Sequence, residues 1–226
     1  MIPSRLFLAV CVAVGTAVAS AAEKPPEKTP DGLALVRDTE ADLVYRRPGV
    51  SFAGYRKILL VEPTIAFRKN WQTNLQVTDP GHPISGKDME KMIAKGKELL
   101  LQAFAEELTK AGYALADGIG PDTLALKPAI LDLDVYVPDP NNELGAVSSI
   151  YADGAGEATL VLELYDAETR QLLARAFDQK GSKGDNYTWR VPRNQATNVI
   201  AAQNALSGWA KMFVRGLERA KTAQMP

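Results

Sequence analysis

The sequence is poor in the residues on which most catalytic and metal sites depend. It has one cysteine, Cys11, and one histidine, His82, among 226 residues. A cysteine- or histidine-based zinc site needs several such ligands, and a Ser-His-Asp triad would have to use His82 in a Pro/Gly loop. The glycine patterns that bind phosphates or dinucleotides are missing, as is the G-x-S-x-G nucleophile motif. We therefore expect no cofactor and no enzymatic activity.

The first 22 residues have the composition of a secretory signal peptide. A short segment containing Arg5 precedes an uncharged apolar run at residues 6–18, and small residues follow at 19–22. This order is typical of a leader that is cleaved after Ala21 or Ala22. The apolar run is shorter than the roughly 20 residues that a membrane-spanning helix needs. We predict export to the periplasm with removal of the leader.

Two alternatives keep the protein at the membrane. The leader could be retained as an N-terminal anchor, or Cys11 could be lipidated. A lipidation signal needs a small residue directly before the cysteine, whereas Val10 is branched. Cleavage near Ala22 would remove the only cysteine, so that the mature chain could form no disulfide.

Charge and composition indicate one ordinary globular unit. Lys and Arg number 26 and Asp and Glu number 27, which gives a net charge of −1. A nucleic-acid-binding protein normally has a basic surface, so nucleic acid is not an expected partner. We interpret residues 1–22 as signal peptide, 23–30 as a linker and 31–226 as a single domain large enough to bury a core.

The periodicity of apolar residues predicts an α+β fold. A long amphipathic helix begins at Ser85, whose pairing with Asp88 resembles a capping box, and ends at Gly112; a second occupies residues 196–221. Strands are predicted at 57–67, 113–116, 124–137, 158–165 and 170–178. Residues 31–55 are interpreted as an irregular arm, and 68–84, 138–156 and 179–193 as loops. The expected architecture is a mixed, mostly antiparallel sheet of about four to five strands, with two helices packed on one face.

Paired carboxylates are the one pattern that leaves enzymatic chemistry open. Alternation in the strand at 124–137 places Leu131 and Leu133 on one face and Asp132 and Asp134 on the other. Such a pair could hold a divalent cation, so a metal-dependent hydrolase is a minor alternative. The simpler interpretation is that both side chains face solvent.

Aromatic and arginine side chains in two loops are the candidate binding residues, because such side chains anchor many binding surfaces. They are Arg68, Lys69 and Trp71 in one loop and Tyr187, Trp189, Arg190 and Arg193 in the other. Aromatic residues in loops also commonly fold back against the core. A row of lysines at helical spacing, Lys87, Lys91 and Lys95, is either a solvated face or a surface for an acidic partner.

Several segments resemble a known family. Residues 30–36 read PDGLALV, 42–49 read DLVYRRPG, 52–60 read FAGYRKILL, 67–71 read FRKNW and 166–176 read DAETRQLLARA. These strings resemble the bacterial envelope proteins catalogued as domain of unknown function 3313, over roughly residues 30–220. Members are described as candidate lipoproteins. This chain departs from them, because the branched Val10 before Cys11 does not fit a lipidation signal. The resemblance implies no catalytic residues.

The sequence thus favours a non-enzymatic periplasmic protein that acts as an accessory or interaction module of the cell envelope. Its partner would be an envelope protein, and the protein would be free in the periplasm or peripheral to the membrane. A carbohydrate- or peptidoglycan-binding module that uses the loop tryptophans is the main alternative.

The leader interpretation makes a direct prediction about the mature protein. Mass spectrometry of the exported chain should find an N-terminus at Ala22 or Glu23, since small residues precede both bonds. A mature protein that begins at a lipidated Cys11 would contradict the cleaved leader and place the protein at the membrane.

Overall fold

The computed structural model describes residues 24–78, 83–135, 156–180 and 195–222. The predicted signal peptide, His82 and the second loop of candidate binding residues lie outside these ranges. The described residues form three helices and eight strands. The strands are β1 (Ala34–Val36), β2 (Leu43–Arg46), β3 (Lys57–Leu60), β4 (Thr64–Phe67), β5 (Ala114–Leu115), β6 (Thr123–Asp134), β7 (Glu157–Asp166) and β8 (Leu172–Lys180). The helices are α1 (Trp71–Thr78), α2 (Gly86–Lys110) and α3 (Gln195–Thr222).

All eight strands belong to one mixed sheet. Its order is β1-β2-β8-β7-β6-β3-β5, and β4 pairs with β6 beyond the end of β3. The β1–β2, β2–β8, β8–β7 and β7–β6 pairs are antiparallel, whereas β3 and β4 run parallel to β6 and β5 runs parallel to β3. The prediction of a mostly antiparallel α+β sheet is confirmed, but the predicted four to five strands were too few.

The arm at residues 31–55 supplies two of the additional strands. β1 and β2 form a hairpin, and β2 extends the sheet by pairing Leu43 with Phe177 of β8. The arm also contacts α3, because Arg215 donates from Nε to Glu40 Oε2 at 2.9 Å. The arm was wrongly predicted to be irregular, since its hairpin joins the sheet only through the pairing of β2 with β8, which is distant in sequence.

The predicted strand at 57–67 is two strands separated at Pro63, which is fully buried. Proline has no N–H to donate, so it interrupts a strand ladder. Both halves still pair in parallel with β6: Ile58 lies opposite Leu124, and Ile65 opposite Ile130.

A third helix, α1, occupies part of the predicted loop at 68–84. Asn70, at φ 63°, turns the chain into the helix, and Asn74 N donates to Asn70 O at 2.9 Å. Trp71 at its first position is buried. One buried side chain in a short polar helix gives no periodic apolar pattern, and the helix was therefore missed.

The two long helices pack on the same face of the sheet, as predicted. Alternate residues of β6 and β7 point to that face and form a single core with α2 and α3. The core includes Leu124, Leu126 and Ile130 of β6, Leu160, Leu162 and Leu164 of β7, Leu99, Leu100, Phe104 and Leu108 of α2, and Leu206, Trp209, Ala210 and Leu217 of α3.

The predicted helix signals of α2 are also present. Ser85 caps its N-terminus by accepting from Asp88 N at 3.2 Å, while Asp88 Oδ2 accepts from Ser85 N. Gly112 follows the helix at φ 86°, a conformation that suits glycine.

A bulge near the end of β6 changes which residues face the core. Leu131 lies opposite Thr159 and Asp134 opposite Glu157, so Asp132 and Leu133 together stand opposite one residue of β7. Asp132 has φ 50°. Leu131 is 37% exposed, whereas Leu133 packs against the core. The predicted regular alternation of these residues was therefore wrong.

Gly156 allows the chain to pass close to this bulge. Its φ is 117°, and a Cβ built on it would lie 2.0 Å from Asp134 O. Gly156→Ala should destabilise the fold by more than about 1 kcal/mol. The positive φ alone costs about 1–3 kcal/mol for a residue with a Cβ, and the contact with Asp134 O adds to it. Urea denaturation would measure this change. The control is Gly54→Ala, because a Cβ at Gly54 meets no atom within 4 Å; equal stability of the two variants would contradict the role of Gly156.

Candidate functional site

The first candidate binding loop is largely a structural element. Trp71 is 4% exposed, stacks on Phe67 with ring centroids 4.3 Å apart, and donates from Nε1 to Val135 O at 3.1 Å. Its indole is therefore covered and cannot serve as a stacking platform. Lys69 is exposed. Tyr187, Trp189, Arg190 and Arg193 of the second loop lie outside the described residues.

Arg68 joins the two strands that flank the bulge. Its Nη1 donates to Asp134 of β6 at 2.6 Å, and its Nη2 pairs with Glu157 of β7. The hydrogen bond to Glu157 is the main cause of an Arg68 pKa above its usual value, although partial burial opposes this rise. Arg68 thus binds two carboxylates beside the bulge and compensates part of their negative charge.

This arrangement also bears on the weak metal candidates, Asp132 and Asp134. Asp134 is occupied by Arg68, and Asp132 is exposed within the bulge. In the part of the chain that the structure describes, no group of three or more His, Cys, Asp or Glu side chains is placed to hold a metal ion. No observation adds support to the two aspartates as a cation site.

The lysine row on α2 is partly neutralised within its own helix. Lys91 Nζ lies 3.7 Å from Asp88 Oδ1, and Lys95 Nζ lies 2.6 Å from Glu98 Oε1. Lys87 is exposed at the first turn. This pattern is typical of a solvated helix face.

The sheet face opposite α2 and α3 carries a feature that the sequence did not reveal. Four apolar side chains on neighbouring strands align by register with Thr64 to form one row across the sheet. The row consists of Leu43 of β2, Phe177 of β8, Val161 of β7, Ala129 of β6 and Thr64 of β4. Its four apolar members are half-buried and lie outside the hydrophobic core. We call these five residues the transverse row.

A charged network borders the transverse row. Arg175 on β8 binds Asp31 Oδ2 and Glu163 Oε1, each at 2.9 Å, and Tyr165 donates to Glu163 Oε2 at 2.8 Å. Lys127 Nζ lies 3.8 Å from the same carboxylate. Burial opposes ionisation of Glu163, but these hydrogen bonds and charges outweigh it and lower its pKa.

Sequence reasoning missed both the transverse row and this network. Along each strand, the members appear as ordinary alternation of apolar and polar residues. Only the pairing register shows that Leu43 and Ala129, far apart in sequence, lie on the same line.

The comparison with protein families supports the resemblance noted in the sequence. A family model described as "Protein of unknown function (DUF3313)" matches residues 31–213. The chain belongs to the DUF3313 family. The family description itself assigns no activity to this DUF3313 chain, and the comparison with curated proteins found no match.

Solved structures similar to the DUF3313 chain include bacterial lipoproteins. A minor lipoprotein from Acinetobacter baumannii is 12% identical, with 73% of this chain and 94% of that chain covered and a TM-score of 0.34. A candidate lipoprotein from Caulobacter crescentus is 12% identical, with 77% and 97% covered and a TM-score of 0.38. A PelC dodecamer from Paraburkholderia phytofirmans is 13% identical, with 73% and 93% covered and a TM-score of 0.35.

None of the helices in the described ranges of the DUF3313 chain has the length and apolar character required to span a membrane.

The burial of Trp71 leads to a prediction that separates packing from binding. Trp71→Ala should cost about 3–5 kcal/mol of unfolding free energy, because it empties a buried site and leaves Val135 O without its donor. Lys69→Ala should change stability by less than about 0.5 kcal/mol, as expected for an exposed residue. Urea denaturation of both variants measures these effects; a Trp71→Ala chain as stable as Lys69→Ala would contradict the packing role.

Proposed function

We propose that the DUF3313 chain is a non-enzymatic accessory protein of the bacterial cell envelope that binds another envelope protein. The predicted signal peptide supports its export, with the mature protein in the periplasm. The observation that carries the proposal is the transverse row. An antiparallel sheet that faces water on one side normally presents polar residues there. Apolar side chains outside the core, bordered by charged groups, are instead typical of protein-binding surfaces.

The chemistry of this surface favours a protein over a sugar. The transverse row is mainly aliphatic and contains one aromatic ring, that of Phe177, whereas sugar binding relies on stacked Trp and Tyr rings. Trp71 is buried, which removes one of the two tryptophans on which the carbohydrate-binding alternative depended. That alternative now depends on Tyr187 and Trp189, and sedimentation with purified sacculi tests it.

Site-specific photo-crosslinking in living cells tests the proposed surface. A photoreactive phenylalanine derivative would be placed at Phe177, within the transverse row, and at Leu131, which is 37% exposed on the same face. Matched control positions are Val77 on α1 and Ile200 on α3, which are 77% and 56% exposed. We expect both sheet positions to form adducts with the same envelope protein, while the controls do not. Equal adducts from all four positions, or none from the sheet, would contradict the proposal.

A pair of substitutions then measures the contribution of this face. Leu131→Lys should weaken binding to the identified protein at least about tenfold, since it places a charge where apolar contact is expected. Val77→Lys makes the same chemical change on α1 and should leave the affinity unchanged. Calorimetry with the purified partner gives both values, and equal affinities would remove this face from the interface.

A further inference from the structure

Asp178, near the end of β8, is a buried acidic residue between the sheet and α3. Asp178 is 8% exposed and is the one buried acidic residue in the part of the chain that the structure describes. It lies on the sheet face that contacts the helices, opposite Leu160 of β7. Burial of a carboxylate is costly unless hydrogen bonds or charges compensate for lost hydration.

Hydrogen bonds from two other elements converge on this carboxylate. Trp209 of α3 donates from Nε1 to Oδ2 at 2.7 Å, and Asp42 N, just before β2, donates to Oδ1 at 3.3 Å. In return, Asp42 Oδ2 accepts from Gln179 N at 2.8 Å. Asp178 therefore joins β8, α3 and the segment that precedes β2.

The charged groups that face Asp178 act in opposite directions. The carboxylate of Asp42 repels its negative charge, while Lys180, two residues along β8, attracts it. From α3, the facing group is the uncharged indole of Trp209, whose ring centroid lies 5.2 Å from Lys180 Nζ. Burial is the largest influence and, together with the charge of Asp42, it raises the pKa of Asp178 despite the hydrogen bonds and Lys180.

We propose that this three-element junction is a proton-sensitive latch, in which uptake of one proton by Asp178 relieves the cost of its burial and stabilises the folded chain. Protonation weakens the hydrogen bonds from Trp209 and from Asp42 N, because a neutral carboxyl is a poorer acceptor than a carboxylate. Protonation removes the cost of a buried charge and the repulsion from Asp42. Because burial is the largest influence, proton uptake by Asp178 stabilises the folded chain, in contrast to the surface carboxylates, whose pairs weaken when they are protonated.

The direction of the pH effect follows from linkage. The folded state binds the proton at a higher pH than the unfolded chain, whose Asp has the ordinary pKa of 3.8. The contribution of Asp178 to stability thus rises as pH falls through its folded pKa, and it is complete below the unfolded value. Each unit of difference corresponds to a tenfold change in the folding equilibrium constant.

Fluorescence of Trp209 reports on this step. The sequence contains three tryptophans, so a chain with Trp71→Phe and Trp189→Phe retains Trp209 alone. We expect its emission to change with pH around a midpoint above 3.8, the ordinary value for an aspartate, and we expect the Asp178→Asn variant to lose this transition. A transition that persists in Asp178→Asn, or a midpoint at or below 3.8, would overturn the latch.

Stability measurements on the otherwise unchanged chain provide a second readout. Asp178→Asn keeps a carbonyl acceptor for Trp209, so at pH 7 it should be at least as stable as the parent chain, with the difference shrinking as pH falls to 4. Glu163→Gln is a control of opposite sign, since the Glu163 pKa is lowered: it should be less stable than the parent at pH 7. An Asp178→Asn chain that is less stable than the parent at pH 7, and that gains stability relative to the parent as pH falls toward 4, would refute the proposal.

Discussion

The pairing of β6 with β7 is the constraint on which the rest of this fold depends. β6 has partners on both sides, β7 in antiparallel and β3 and β4 in parallel orientation. The β6–β7 register sets which side chains face α2 and α3, and a slip of one residue would turn every core leucine of either strand to the opposite face. The bulge at Asp132 shifts that register once, near the end of the strand, where Arg68 joins both strands.

The sequence predicted correctly the two long helices, whose signals lie in residues close together in the chain. The capping box at Ser85, the glycine at 112 and the apolar spacing of α2 and α3 sufficed to predict both long helices. β1 and β2 were missed because their hairpin joins the sheet through β8, far along the chain, and α1 was missed because it has no periodic apolar pattern. For Trp71 the sequence left two interpretations, a binding residue or a side chain folded back against the core, and its contact with Val135 decides for the second.

The transverse row and the Asp178 junction lie on opposite faces of β8. Phe177 points to the face without helices and Asp178, the next residue, points to α3, as alternation in a strand requires. A change in how tightly α3 is held would therefore act on a strand that also contributes to the proposed binding face. The short β2 reaches both features, through Leu43 in the row and through Asp42 immediately before it.

The path of the chain before β1 fixes how far the fold could stand from any surface to which its N-terminus is attached. Leu35 N donates to Glu27 O and Lys28 pairs with Ala34, so residues 27 and 28 are already bound to the outer edge of β1. If the leader is retained as an anchor, about nine residues lead from the end of its apolar run at residue 18 to Glu27, and they span at most about 32 Å when fully extended. Such an anchor would keep the β1 edge, rather than β5 at the far side of the sheet, near the membrane.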